Sequence, residues 1–428
     1  MGAVLKRRQK EESMGQFFSN AVETALRDLY YQMWTGRGQE AFRLLEQASE
    51  AGDGDASCLL ARCLCGSQYV WKGHGFPEDD RRATKLLHKS VEQGSALGVL
   101  ICLRSGELKP YLEKKLPFSS LQEAFQIVLD KAEAGEPFCQ YTVGNSYFWW
   151  DFLRIQGKKR DDFSSQEAFR DYLRENIMKC EDWFWKAFQN GVFYAGNNLR
   201  HYYEKGDEDL VPPRPERAAD IDRIGAEYGY PAYQYHYGWD MKREGRAEEA
   251  GIWFRKAAEG GEQDAFSEAG DAWRLGNGGP QDMERAAWYY EKGLNVPLNR
   301  EYCAGQLGIL YYEGKGVPQD YARAFQLLKW TDDQRKHGNW VVYYLGDCCA
   351  NGKGTQQDYE MARSYLERID WDCPSGFYLL GYLYARGLGG PKDIAGGVEL
   401  LKKAGNQPQA VEELKRYKRT LFGKWVER

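Results

Sequence analysis

Through the second half of the 428-residue chain a set of landmarks recurs at a nearly fixed interval, and this limits the possible folds more than any other feature. A glycine behind an apolar residue stands at Gly270, Gly308, Gly346 and Gly381, and an aspartate follows it at Asp282, Asp320, Asp358 and Asp393; both series step by 38, 38 and 35 residues. Between them lie the G-x-G pairs Gly276/Gly278, Gly314/Gly316, Gly352/Gly354 and Gly387/Gly389. A period of this length is the mark of stacked helical units that each bury their oily side on the next.

Each landmark has a physical role. The first glycine sits in a run with apolar and small residues at helical spacing, as in Leu307, Leu310 and Tyr311, where a missing side chain lets a partner helix come close. The G-x-G pair ends that helix, because a left-handed residue at a helix C-terminus disfavours a Cβ. Pro280, Pro318 and Pro391 prevent its continuation. The aspartates then cap a second helix, whose free N–H groups and dipole favour a carboxylate. That helix carries Ala286, Tyr289 and Tyr290, or Ala324, Leu327 and Leu328, or Ala362, Tyr365 and Leu366 on one face.

Weaker copies run upstream over Ala21–Gly52, Asp55–Gly94 (with Gly73 and Gly75), Ser95–Gly135, Glu136–Gly191, Val192–Gly229 and Tyr230–Gly261. The expected fold is all-α, an α/α superhelical solenoid of about ten helix-turn-helix repeats over residues 20–405. Residues 1–19 read as a flexible polar segment, and 406–428 as a C-terminal capping helix with the stripe Val411, Leu414, Tyr417, Leu421 and Trp425; a basic amphipathic membrane helix is the other reading of that stripe. An extended insertion spans 150–181, where Ser164-x-x-Glu167 reads as a capping box before an extended or extra helix, and Ser120-x-x-Glu123 as another. This insertion is either part of the stack or a projection that meets a partner. The longer connections 105–118 and 206–216 read as solvated spacers.

The run Leu307-Gly308-x-x-Tyr311-x-x-Gly314-x-Gly316-Val317-x-x-Asp320-x-x-x-Ala324 resembles the Sel-1-like repeat, a relative of the tetratricopeptide repeat. The likeness is specific in the last four units and degenerate in the first six. It implies a right-handed α/α superhelix with an adaptor role, in which the first helix of each unit lines a concave groove. Some secreted relatives carry a cysteine pair eight residues apart in each repeat; this chain has neither that pairing nor a signal-peptide pattern at its first residues.

On that implication, counting from each small glycine places Tyr141, Phe193, Tyr235, Ser267, Gly305, Tyr343 and Tyr378 at one inner position. The next inner positions hold Trp239 and Ile309, and then Arg200, Lys242, Arg274 and Tyr312. The candidate binding set is Arg200, Lys242, Arg274, Phe193, Tyr235, Trp239, Tyr343 and Tyr378. Guanidinium and ammonium groups among aromatic rings suit an acidic or C-terminal peptide segment through charge-assisted hydrogen bonds and ring contacts. The competing reading is that these rings are core and these cations are solvated.

Composition narrows the functional classes. With 58 Lys and Arg against 63 Asp and Glu, the net charge of −5 gives no general attraction to nucleic acid. No apolar run is long enough to span a membrane. The ten cysteines show no C-x-x-C and no second ligand pair, so neither a metal site nor a cofactor is expected; buried thiols in a reducing, cytoplasmic setting are. The histidines His74, His88, His201, His236 and His337 form no ligand or catalytic pattern. The G-x-G turns follow helices, which makes them turns and not phosphate loops. The expected function is a non-enzymatic scaffold that binds a protein or peptide; the alternative is an enzyme or small-ligand binder with a cleft between repeats.

Overall fold

The computed structural model describes residues 16–33, 36–65, 70, 74–207, 209–334 and 340–428. Residues 1–15 of the N-terminal segment, Gly73 and His337 lie outside the described residues. At the repeated landmarks the local chemistry is as the sequence reads. Gly276, Gly314, Gly352 and Gly387 are left-handed C-caps of their helices. The carboxylates of Asp282, Asp320, Asp358 and Asp393 accept from the N–H groups of Arg285, Arg323, Met361 and Gly396 at 2.8–3.0 Å. The N–H of each aspartate is tied back to a carbonyl of the preceding helix, as Asp320 is to Tyr311 at 3.0 Å and Asp358 to Cys349 at 2.8 Å. The second glycine of the pair has a further reason to be glycine. A Cβ on Gly354 would lie 2.0 Å from the Tyr321 carbonyl oxygen, and one on Gly316 would lie 2.1 Å from that of Met283. These turns therefore press on the backbone of the preceding hairpin. The earlier small glycine does the same within a hairpin: a Cβ on Gly270 would strike the Tyr290 ring.

The fold is an all-α solenoid, with ten helical hairpins among the described residues. It falls into two compact units, one up to Tyr233 and one from Gln234, with the division inside the helix Pro231–Arg243. The first unit contains the hairpins Asn20–Leu26 with Gly38–Glu50, Gly54–Leu64 with Asp80–Glu92, Ala96–Arg104 with Leu121–Glu133, Pro137–Phe148 with Gln166–Gln189, and Phe193–Lys205 with Glu216–Glu227. Helix Asn20–Leu26 continues as a π-helical turn, Arg27–Tyr31. That turn carries Tyr30 inward, where its ring lies 4.7 Å from Phe138 and 6.1 Å from Tyr194. Arg62 Nε donates to Tyr30 Oη at 2.9 Å, and Tyr31 Oη donates to Glu136 at 2.6 Å. The opening hairpin thus closes on the inner helices of the fourth and fifth.

One expectation for this unit needs correction, the cap of the long helix. The 150–181 segment is a short helix, Asp151–Ile155, and then the N-terminal part of the 24-residue helix Gln166–Gln189. Phe152 and Ile155 are buried, while most of residues 156–167 are exposed. The cap of the long helix is Ser165, not Ser164; its hydroxyl accepts from the Ala168 N–H at 3.0 Å. The connections 105–118 and 206–216 are exposed along much of their described length, as expected, with Leu108, Leu112, Leu210 and Val211 as buried anchors. Apolar side chains in an exposed loop gain by docking on the adjacent core.

The second unit holds Pro231–Arg243 with Ala247–Glu259, Phe266–Leu275 with Met283–Gly293, Arg300–Glu313 with Tyr321–Gln334, Val342–Asn351 with Tyr359–Leu366, and Pro374–Arg386 with Ile394–Lys403. The expected capping helix over 406–428 is overturned. A helix covers Pro408–Leu414 only, and two antiparallel strands follow, Tyr417–Arg419 and Trp425–Glu427. Val411 and Leu421 are exposed, whereas Tyr417 is buried. The stripe satisfied helical spacing, but Gly423 at φ +80° closes a turn that a helix cannot contain.

Candidate functional site

In the second unit a cavity of about 530 Å³ opens along the first helices of successive hairpins. Arg274, at the end of helix Phe266–Leu275, forms part of its wall, with Gln306, Ile309 and Glu313 of the next inner helix beyond it. Tyr343 and Tyr344 of the following inner helix, with Trp340, Trp371 and Cys373 from the connections, complete an aromatic lining. Glycine shapes this wall too. At Gly305, where the following repeat carries Tyr343, a Cβ would lie 2.3 Å from the Trp340 ring, so that ring occupies the space. Trp340 also packs 5.9 Å from Tyr302.

Arg274 is a fixed cation. Its guanidinium meets Asp271 at 3.0 Å and donates to Tyr290 Oη at 3.2 Å. Asp271 in turn accepts from Tyr290 Oη at 2.7 Å and from Tyr302 Oη at 2.6 Å. Burial works against the charge on Arg274, but Tyr290 and Asp271 outweigh it and raise its pKa. Its side chain remains 29% exposed, so N–H groups are left to meet a ligand. A second anchored cation, Lys353, reaches Asp347 at 2.7 Å and Tyr312 Oη at 2.8 Å. The Cys373 thiol is pushed up by burial, which keeps it protonated and makes it a poor nucleophile.

The other predicted residues divide among different settings. Tyr235, Trp239 and Lys242 form a cluster of their own in the second unit: Lys242 Nζ lies 4.4 Å from the Trp239 ring, and Tyr235 packs 6.1 Å from Phe254. Tyr378 faces Tyr382 at 6.3 Å in the last hairpin, where Arg386 stacks on Tyr382 and pairs with Glu413 at 3.1 Å. In the first unit Arg200 is held by Asp222 and Glu204, each at 3.0 Å. Phe193 is 8% exposed and packs on Tyr194, Tyr230 and Tyr233, so its assignment to a groove is corrected: it is core. Of the predicted set, Arg274 and Tyr343 share the cavity. Counting along helices missed Trp340 and Trp371, which come from connections, and Tyr344, one residue from the counted position.

The first unit has a smaller cavity of about 350 Å³, lined by Arg62, Arg104, Tyr141, Asn145, Trp149 and Cys65 among others. Arg104 stacks 4.6 Å from Trp149 and meets Asp151 at 3.3 Å. Burial lifts Asp151 to about 6, against the pull of Arg104. Among the described residues no group of His, Cys, Asp or Glu side chains is placed to hold a metal ion, and no helix is long and apolar enough to cross a membrane.

Stacked helix-turn-helix hairpins with glycine turns and aspartate caps define a helical repeat protein. Comparison with protein families specifies which: the Sel1 repeat matches residues 38–53, 56–95, 226–262, 269–295, 302–329, 342–369 and 378–408, and the chain is a Sel1-repeat protein. Among solved structures it is similar to c5321, a protective antigen present in uropathogenic Escherichia coli strains displaying an SLR fold, at 19% identity over 96% of this chain and 89% of that one, with a TM-score of 0.41. A Sel1 repeat protein from Oxalobacter formigenes is 22% identical over 46% of this chain and 85% of that one, with a TM-score of 0.36. The APC/C hetero-tetramer Cut9-Hcn1 contains a chain 14% identical over 92% of this chain and 94% of that one, with a TM-score of 0.35. No curated protein matches the chain.

Proposed function

We propose that this protein is a non-enzymatic scaffold, and that a partner's peptide segment seats in the aromatic cavity of the second unit with an acidic group against Arg274. The observation that carries this reading is one wall that combines a held guanidinium with Trp340, Tyr343, Tyr344 and Trp371. Rings supply large contact area at low entropic cost, and a cation already fixed by Asp271 and Tyr290 loses little freedom on binding. Among the described residues, no histidine joins the Cys373 thiol in the lining. A reducing, cytoplasmic setting suits this reading, since all ten cysteines are thiols.

The test is affinity capture from native cells with the full chain, compared with Arg274→Glu and Trp371→Ala. The same partner should be recovered by the wild type and lost by both variants, with unchanged circular dichroism. Recovery by both variants at the wild-type level would reject the site.

A further inference from the structure

Charge is unevenly distributed along this chain. Against a net charge of −5 for the whole, residues 415–428 (KRYKRTLFGKWVER) hold Lys415, Arg416, Lys418, Arg419, Lys424 and Arg428 with a single acid, Glu427. The fold gives this stretch a definite form. Strands Tyr417–Arg419 and Trp425–Glu427 pair antiparallel, and Gly423 N–H donates to the Thr420 carbonyl at 2.9 Å to close the turn between them. Lys424 N–H donates to Thr420 Oγ1 at 3.1 Å.

At the tip stand Leu421 and Phe422, 101% and 99% exposed; the next most exposed large apolar side chain among the described residues is Leu298 at 65%. The base is anchored. Tyr417 is buried and its hydroxyl donates to Glu413 at 2.9 Å, Lys402 Nζ lies 4.8 Å from the Trp425 ring, and Lys392 pairs with Glu427 at 3.2 Å. Two large apolar side chains are thus held in solvent by a braced hairpin. Beside them Lys418, Arg419 and Lys424 make no ion pair with a carboxylate among the described residues; Arg419 Nε instead donates to the Gly423 carbonyl at 2.9 Å.

We infer that this hairpin is a finger that attaches the protein peripherally to an anionic lipid bilayer, with Leu421 and Phe422 in the acyl–headgroup boundary and Lys418, Arg419 and Lys424 on headgroup phosphates. Two side chains on a tight turn fall far short of the roughly 800 Å² per partner that a stable protein interface buries. A bilayer demands no complementary shape, and it accepts an apolar wedge ringed by cations as two weak signals acting together. This inference is independent of the cavity and its partner.

The full chain is sedimented with phosphatidylcholine vesicles with and without phosphatidylserine. It should bind only the anionic vesicles and be released by salt, since the cations act through screened charge. Each cation near the surface contributes about fivefold in affinity, so Lys418→Gln with Lys424→Gln should weaken binding roughly 25-fold. Leu421→Ser with Phe422→Ser should weaken it about tenfold without changing thermal stability, because both sites are fully exposed. Failure of the wild type to sediment with anionic vesicles at low salt would overturn the inference. So would undiminished binding by the Leu421→Ser/Phe422→Ser protein.

Discussion

In the first unit Tyr30 reaches from the opening hairpin to Phe138 and Tyr194 and takes a hydrogen bond from Arg62, so that the chain's own aromatics pack beside a smaller cavity of about 350 Å³ that Arg62 also lines. In the second unit a cavity of about 530 Å³ lies beside Arg274 and Tyr343. The means of stacking differ as well. Tyr30, Tyr202, Tyr203, Tyr230, Tyr233, Phe138, Phe152, Phe184 and Phe188 are among the largest fully buried side chains, and all lie in the first unit; Tyr290 is their counterpart in the second. The second unit instead repeats one turn whose backbone abuts the preceding hairpin. Hairpins can therefore be locked by large buried aromatics, or by a standard joint in the turn.

The sharpest way to break this comparison is Tyr30→Ala. It removes a fully buried ring and the acceptor of Arg62, and should cost about 3–5 kcal/mol in urea unfolding. A loss below about 1 kcal/mol would show that the aromatic packing is not held by this ring. Next comes Gly354→Ala, which places a methyl in the Tyr321 carbonyl and forces a left-handed residue to carry a Cβ. It should cost about 3 kcal/mol from overpacking and strain together. Gly52→Ala is the control: its φ is +102° but its Cβ would meet nothing within 4 Å, so about 1 kcal/mol is expected. Equal losses at the two glycines would remove the distinction between a joint and a turn.

The last effect concerns pH. Burial holds His74 down at about 4, against 6.5 for an ordinary histidine, with Asp28 opposing the shift. Because the folded pKa is depressed, the unfolded chain takes up a proton that the folded chain refuses. Stability is full above the ordinary pKa and falls as pH drops from about 6.5 toward 4, by at most about 1.4 kcal/mol per pH unit. His74→Phe should remove this component, so its urea midpoint should gain on the wild type between pH 7 and pH 5. A constant difference would exclude His74 as its source.

How much was legible follows from the same contrast. The glycine turns and the caps at Asp282, Asp320, Asp358 and Asp393 depend on residues within a few positions of one another, so their spacing marked the last four hairpins. The Sel1 match leaves 96–225 uncovered, the stretch where large aromatics replace the standard joint. There the packing partner of a ring is set by tertiary closure, as with Tyr30 and Tyr194, and no local pattern encodes it. At the candidate site Arg274 and Tyr343 were legible because they sit on inner helices; Trp340 and Trp371 were not, because connections carry no periodicity. The final hairpin was misread because Tyr417, Leu421 and Trp425 fit a helical period, while Thr420 and Gly423 carried the turn signal.

One further consequence lies in the cysteines. Eight of the ten are buried, and the two that are not, Cys65 and Cys373, each line one of the two cavities. Each of these two hollows thus has its own chemical handle. A maleimide fluorophore or an isotope-coded alkylating reagent should mark these two positions ahead of the rest, and protection of Cys373 but not Cys65 would say which hollow an incoming molecule had entered.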